Sequence, residues 1–155
     1  MTVATTRVDD WELLYRAVRD TAFEYSISEG VLRVSLSAFN DRERRPSVDR
    51  SSLRFVPRDA RVSSTDGVVS LETRDVRDLA QQLRFGAAGE LAYGVDAIHR
   101  PIDASETIPD GNAAHCQIEC EPEITSSHYK RLKEALARLA SARGWVVVPS
   151  SDGGG

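Results

Sequence analysis

One stretch constrains the fold of this chain more than any other. Between residues 127 and 142, Tyr129, Leu132, Leu136, Leu139 and Ala140 recur at helical spacing, with charged residues between them. Ser126 or Ser127 supplies an N-cap and Gly144 a stop. Trp145-Val-Val-Val148 follows at once as a short apolar run, closed by Pro149. A helix that runs straight into a buried strand must lay its apolar stripe on a sheet.

The rest of the chain supplies that sheet in short pieces. Val31, Leu32, Val34 and Leu36 read as a strand ending near Phe39. Asp66-Gly67 is a turn signal into a strand over 68–71. Leu91 to His99 and Ala114 to Cys120 read as two more strands, separated by a polar loop over 102–112. Trp11, Leu14, Tyr15 and Val18 fall at i, i+3, i+4 and i+7, which predicts a helix over 11–19 behind an Asp9 or Asp10 cap. Val76, Leu79, Ala80 and Leu83 predict another, capped by Thr73 or Asp75 and running to about Phe85. Residues 47–55 fit no single pattern. The expectation is a single α+β domain over 9–149, with a mixed or antiparallel sheet of about five short strands and two or three helices on it. Residues 1–8 read as a disordered lead and 150–155 as a flexible tail.

A chain of 155 residues is long enough to build one core without disulfides or metal. No apolar run approaches the roughly 20 residues of a membrane span. The N-terminus lacks the basic start and apolar centre of a signal peptide, so a cytoplasmic location is expected. Cys116 and Cys120, if on one strand, lie about 13 Å apart at roughly 3.3 Å per residue, too far for a disulfide. Reduced core thiols are the expectation. His115, Cys116, Cys120 and His128 lack the spacing of a zinc site, so no metal is expected.

The net charge of -4 argues against a general nucleic-acid coat, and no specific DNA binding is expected. Charge is nevertheless segregated. Residues 42–61 hold seven Arg against Glu43, Asp49 and Asp59, and 128–143 hold five basic residues against Glu134. Residues 103–125 hold six acids and no Lys or Arg. Either these stretches face one another or face solvent, or the basic ones bind RNA or a phosphorylated ligand. Aromatic residues are scarce in the basic stretches, which gives base stacking little support.

Four short pieces occur in order: Leu14-Tyr15-Arg16, Ser37-Ala38-Phe39, Ser47-Val48-Asp49 and Asn112-Ala-Ala-His115. In that order they resemble a family of small bacterial proteins with a YRR-like start, a Ser-x-Ala-Phe segment, Ser-Val-Asp, and Asn-Pro-Ala-His. The resemblance spans roughly residues 13–149. The chain departs from it at Ala17, where a second Arg is expected, and at Ala113, where Pro is expected. No assigned activity comes with the resemblance; it marks residues.

Those residues have chemistry of their own. His115 follows a loop at a strand edge, where an imidazole can act as general acid or base. Asn112 can fix the loop or the tautomer, and Asp49 can orient a base or bind a ribose. Arg16 can hold an anion with its planar fork, or pair with Glu12 or Asp20 one turn away. Ser37 and Ser47 complete the candidate ligand-binding set. Arg16, Ser35-Leu-Ser37 and Glu119-Cys-Glu121 are also the residue types of ADP-ribosyltransferase sites, although the Arg-to-Ser interval is short for that fold. No Gly-rich phosphate loop, Gly-x-Ser-x-Gly or His-Glu-x-x-His occurs, and no cofactor is implied. Gly153-Gly-Gly155 has the form of a conjugation tail or of an unselected flexible end.

Two functions follow as expectations. One is a small enzyme or ligand-binding domain for a phosphate-bearing substrate (a nucleotide, NAD or RNA), with Arg16 on the anion and His115 as acid/base. The other is a non-enzymatic module that binds a partner protein. Convergence of the named side chains in one pocket favours the first.

Overall fold

The computed structural model describes residues 7–150. Residues 1–6 of the expected lead and the Gly153–Gly155 tail lie outside that range. The lead as read from sequence includes two residues that belong to the fold. Arg7 bridges Ile98, and Val8 is fully buried in the core.

The elements in chain order are β1 (Leu13–Val18), β2 (Tyr25–Ser28), β3 (Val31–Val34), β4 (Ser47–Arg50), β5 (Gly67–Glu72) and α1 (Thr73–Asp78). Then come β6 (Arg84–Phe85), β7 (Leu91–Ala92), β8 (Gly94–His99), β9 (His115–Glu121), α2 (Ser126–Arg143) and β10 (Trp145–Val147). Six strands form one antiparallel sheet in the order β10-β5-β1-β4-β9-β8. The α+β reading holds, with one strand more than expected. The pairs β2–β3 and β6–β7 are separate hairpins.

The expected strand β3 pairs with β2 outside this sheet, and the sheet instead gains β4, from the stretch that fits no single pattern, and β1, where the sequence predicts a helix. Leu14 and Val18 stand four apart, a spacing that serves both a helical stripe and one face of a strand. Both are fully buried. Tyr15 and Trp11 fit only the helix. Tyr15 instead faces the opposite side of the sheet, and Trp11 is largely exposed. Six cross-strand partners on β5, from Leu13↔Glu72 to Val18↔Gly67, decide between the two.

Three smaller corrections follow the same logic. The strand expected to reach Phe39 ends at Val34, and Leu36–Phe39 is a 3-10 turn that buries Ala38 and Phe39. The second helix ends at Asp78, passes through a 3-10 turn at Leu79–Gln82, and gives way to β6. Thr73 does not cap it, because its hydroxyl donates to the Glu12 carbonyl at 2.7 Å. The cap of α2 is Thr125, whose hydroxyl accepts from the His128 amide, rather than Ser126 or Ser127. Gly144 ends α2 as expected, with φ 79°.

Strand alternation gives the sheet two unlike faces. Leu14, Val18, Val48, Val69, Leu71, Cys116, Ile118, Val95 and Ala97 share the face toward the helices and the core. Tyr15, Ser47, Asp49, His115 and Gln117 share the other. The segment 51–66, with its 3-10 turn Pro57–Ala60, crosses part of that second face.

Candidate functional site

The polar face of the sheet forms the floor of a cleft of about 550 Å³. That volume is in the range of small-ligand sites. Its lining contains Arg16, Ser37, Ser47, Asp49, Asn112 and His115, all six residues singled out from sequence. Residues of the 51–66 segment form the opposite wall.

His115 is held at both ring nitrogens. Nδ1 lies 2.8 Å from the Arg100 carbonyl oxygen and Nε2 lies 3.1 Å from Ser47 Oγ. A carbonyl can only accept, so Nδ1 carries the proton and Nε2 offers a lone pair to the serine hydroxyl. Arg100 is itself fixed, by bidentate contacts of 2.5 and 3.0 Å to Glu119. A serine, an imidazole base and an acceptor that sets the tautomer therefore stand in line, with a backbone carbonyl as the third partner.

Asp49 is buried and lies next to His115 in the β4–β9 register and next to Tyr15 in the β1–β4 register. Its oxygens accept from Arg54 Nε at 3.0 Å and Asn112 Nδ2 at 2.9 Å. Arg54 Nη2 closes the triangle by donating to Asn112 Oδ1 at 2.8 Å. Asn112 Oδ1 also accepts from the Ala114 amide at 3.0 Å, an Asx-type turn that aims the chain into β9. Gly111 precedes it with φ 63°, and a Cβ there would run into the Ile102 carbonyl.

Arg16 meets its anion inside the protein. Nε and Nη2 donate to the Ala38 carbonyl at 3.0 and 2.7 Å, and Nη1 donates to the Ser47 carbonyl at 2.8 Å. Nη1 and Nη2 grip Asp41 at 3.2 and 2.6 Å. All five guanidinium protons are thereby used. Asp41 Oδ2 accepts from the Ser47 amide at 2.8 Å as well. The ladder of β1 with β4 covers only Leu14↔Arg50 and Tyr15↔Asp49, and Arg16 bonds β4 beyond it. Glu12 and Asp20, the helical partners expected for Arg16, bind Arg50 and Tyr25 instead.

Ser37 lies on the exposed rim. Tyr15, Asp41, Arg54 and Arg61 also line the cleft and were not singled out from sequence. Tyr15 was assigned to a buried helical stripe. Arg54 stood among seven arginines with nothing to distinguish it. Asp41 pairs with Arg16 across 25 residues of sequence, which no local pattern shows. Glu119 and Glu121 do not line the cleft, and Ser35 donates to the Phe23 carbonyl.

The remaining sequence candidates are accounted for elsewhere in the fold. His99 bonds the Ala113 carbonyl at 2.8 Å. His128 bonds the Tyr93 hydroxyl at 2.9 Å and stacks on Phe85. Burial pushes the Cys116 thiol up to about 12 and the Cys120 thiol to about 11. Both cysteines are free. Among the described residues, no three His, Cys, Asp or Glu side chains gather as a metal would require, and no helix is long and apolar enough to cross a membrane. The basic stretch partly faces the acidic one, through Arg45–Glu123 and an Arg44 bond to the Ile124 carbonyl.

The four motifs are thus joined around one cleft. Arg16 reaches Ala38 and Ser47, Asp49 binds Asn112, and Ser47 binds His115. No protein-family model matches this chain, nor does any curated protein or solved structure.

Proposed function

We propose that the cleft is the active site of a small hydrolase for a phosphate-bearing molecule of nucleotide size, with Ser47 as nucleophile and His115 as general base. The observation that carries this reading is the Ser47 Oγ–His115 Nε2 contact of 3.1 Å, with Nδ1 fixed on the Arg100 carbonyl. Ser47 Oγ attacks phosphorus as its proton passes to Nε2. The P–O bond to the leaving group breaks, and that oxygen departs with the proton from Nε2. Water then attacks the phosphoserine with Nε2 as base, which frees phosphate and regenerates Ser47. Asp49 and Asn112 keep the start of β9 in place, and Arg16 with Asp41 holds the Ser47 backbone. Among the described residues the lining holds no Phe or Trp and only Tyr15 as a phenol ring, which favours a small phosphoester over RNA.

The test is hydrolysis of p-nitrophenyl phosphate and a panel of nucleoside phosphates. His115→Ala and Ser47→Ala should each lower kcat/KM by about a hundredfold or more. Turnover that survives both substitutions, or its absence across the panel, overturns the assignment.

A second reading has its own observation. Phe55, Val56 and Val62 are exposed on the segment that walls the cleft. A non-enzymatic module would use such residues to dock a partner protein. Asp substitutions at Phe55 and Val56, which do not line the cleft, would then abolish partner capture from the native host and leave any hydrolysis intact.

A further inference from the structure

An active site for phosphoesters needs a place for the phosphate, and Arg16 has no proton left to give it. The structure assigns that role, within the reading of Ser47 and His115 above, to Arg54 and Tyr15: we propose that they form the anion subsite of the cleft.

Three observations carry this. Arg54 donates Nε to Asp49 and one Nη2 proton to Asn112, which leaves three of its five N–H groups without a partner among the described residues. Its plane is nevertheless fixed, because Asp49 and Asn112 hold one edge of the guanidinium. A guanidinium held along one edge presents the other in a set direction, the fork geometry that suits phosphate oxygens. Second, the Tyr15 hydroxyl has no partner among the described residues although the side chain is half-buried in the cleft. Third, Tyr15 and Asp49 are direct cross-strand partners and Asp49 holds Arg54, so the tyrosine and the arginine both stand beside one carboxylate in the cleft lining. His115 is the next residue in that row.

The other lining cations are placed differently. Arg61 donates to the Arg58 and Ser64 carbonyls of its own turn and shares its wall with Asp59 and Asp66. Arg19 is exposed beside Glu24, which binds its amide. Asp49 spends both oxygens on Arg54 and Asn112 and so serves to orient the arginine.

The experiment measures binding of inorganic phosphate, a nucleoside 5′-monophosphate, the bare nucleoside and a short single-stranded RNA to the full chain by calorimetry. The monophosphate should bind, the nucleoside much more weakly. Arg54→Lys should weaken the monophosphate about tenfold, the value of one charge-assisted hydrogen bond. Tyr15→Phe should weaken it about threefold or more, with an unchanged unfolding midpoint, since the hydroxyl bonds no described residue. Ser47→Ala should bind as tightly as wild type. Binding indifferent to both Arg54→Lys and Tyr15→Phe overturns the subsite, as does RNA that binds while the monophosphate does not. Should Ser47→Ala hydrolyse like wild type while binding still depends on Arg54 and Tyr15, the catalytic reading fails and the subsite stands.

Discussion

Arg16 shows how far a side chain's identity can be read and where its partner must be seen. An arginine beside apolar neighbours signals a held anion, and the anion turns out to be Asp41. Arg16 also lies over Phe39, so its stem and its fork both contribute. Lysine is a point charge and cannot reproduce this bidentate pattern. Arg16→Lys should therefore destabilise the fold by about 2 kcal/mol, read from urea unfolding. The cysteines follow from burial alone. With thiols pushed up to about 12 and about 11, neither is a thiolate at pH 8. Ellman's reagent should label the native protein slowly and both thiols quickly in urea. Equal rates in the two states would show that the sheet does not shield them. His115 could be singled out from its place after a loop. Its Ser47 partner lies 68 residues away, and no periodicity in either segment joins them.

Elements are legible where neighbours in sequence settle their form. The stripe of α2 and its glycine stop are near-neighbour features, and the helix and a strand after it occur, although β10 is an edge strand with Val146 exposed rather than a buried one. The cap is displaced by one residue because Thr125 adopts extended dihedrals with its hydroxyl toward His128. Thr125→Ala should cost about 1 kcal/mol in unfolding free energy, and Ser127→Ala much less. Gly111 is a tighter constraint, since it combines a left-handed φ with a close carbonyl. Gly111→Ala should shift Asn112 and so disturb the Asp49–Arg54 triangle, lowering stability by about 1–2 kcal/mol. Circular dichroism melts of the two variants check both statements. β1 was misread because Leu14 and Val18 suit two periodicities, and the strands it joins lie tens of residues further along the chain.

The molecule as a whole is tied together across its sheet by charge as well as by its core. Glu12, just before β1, meets Arg50 at the end of β4 at 3.0 and 3.1 Å, with both side chains nearly buried. Burial pushes the Glu12 carboxyl up, but Arg50 and Ser52 more than offset this and hold it below its ordinary value. A depressed carboxyl contributes stability that is full above its unfolded value, about 4.3, and is lost as pH falls through the folded one. Unfolding free energy should therefore fall on acidification below about pH 4. Glu12→Gln should flatten part of that slope while costing about 3 kcal/mol at neutral pH, because it takes the carboxylate away from the buried Arg50 charge. Denaturant titrations at stepped pH measure both effects.

The chain's own order of residues was enough for the α+β class, for the presence of β5, β8, β9 and α2 though not their edges (the strand expected over 91–99 divides into β7 and β8), and for six side chains of the cleft. Each depends on spacing, capping or turn chemistry within a few residues, and such interactions act at short range whatever the rest of the chain does. The conversion of 11–19 into a central strand, the pairing of Arg16 with Asp41, and the hold of Asp49 and Asn112 on one edge of Arg54 were settled by the folded molecule. They depend on which strands lie side by side, and that arrangement minimises buried polar groups and exposed apolar area over the whole chain at once.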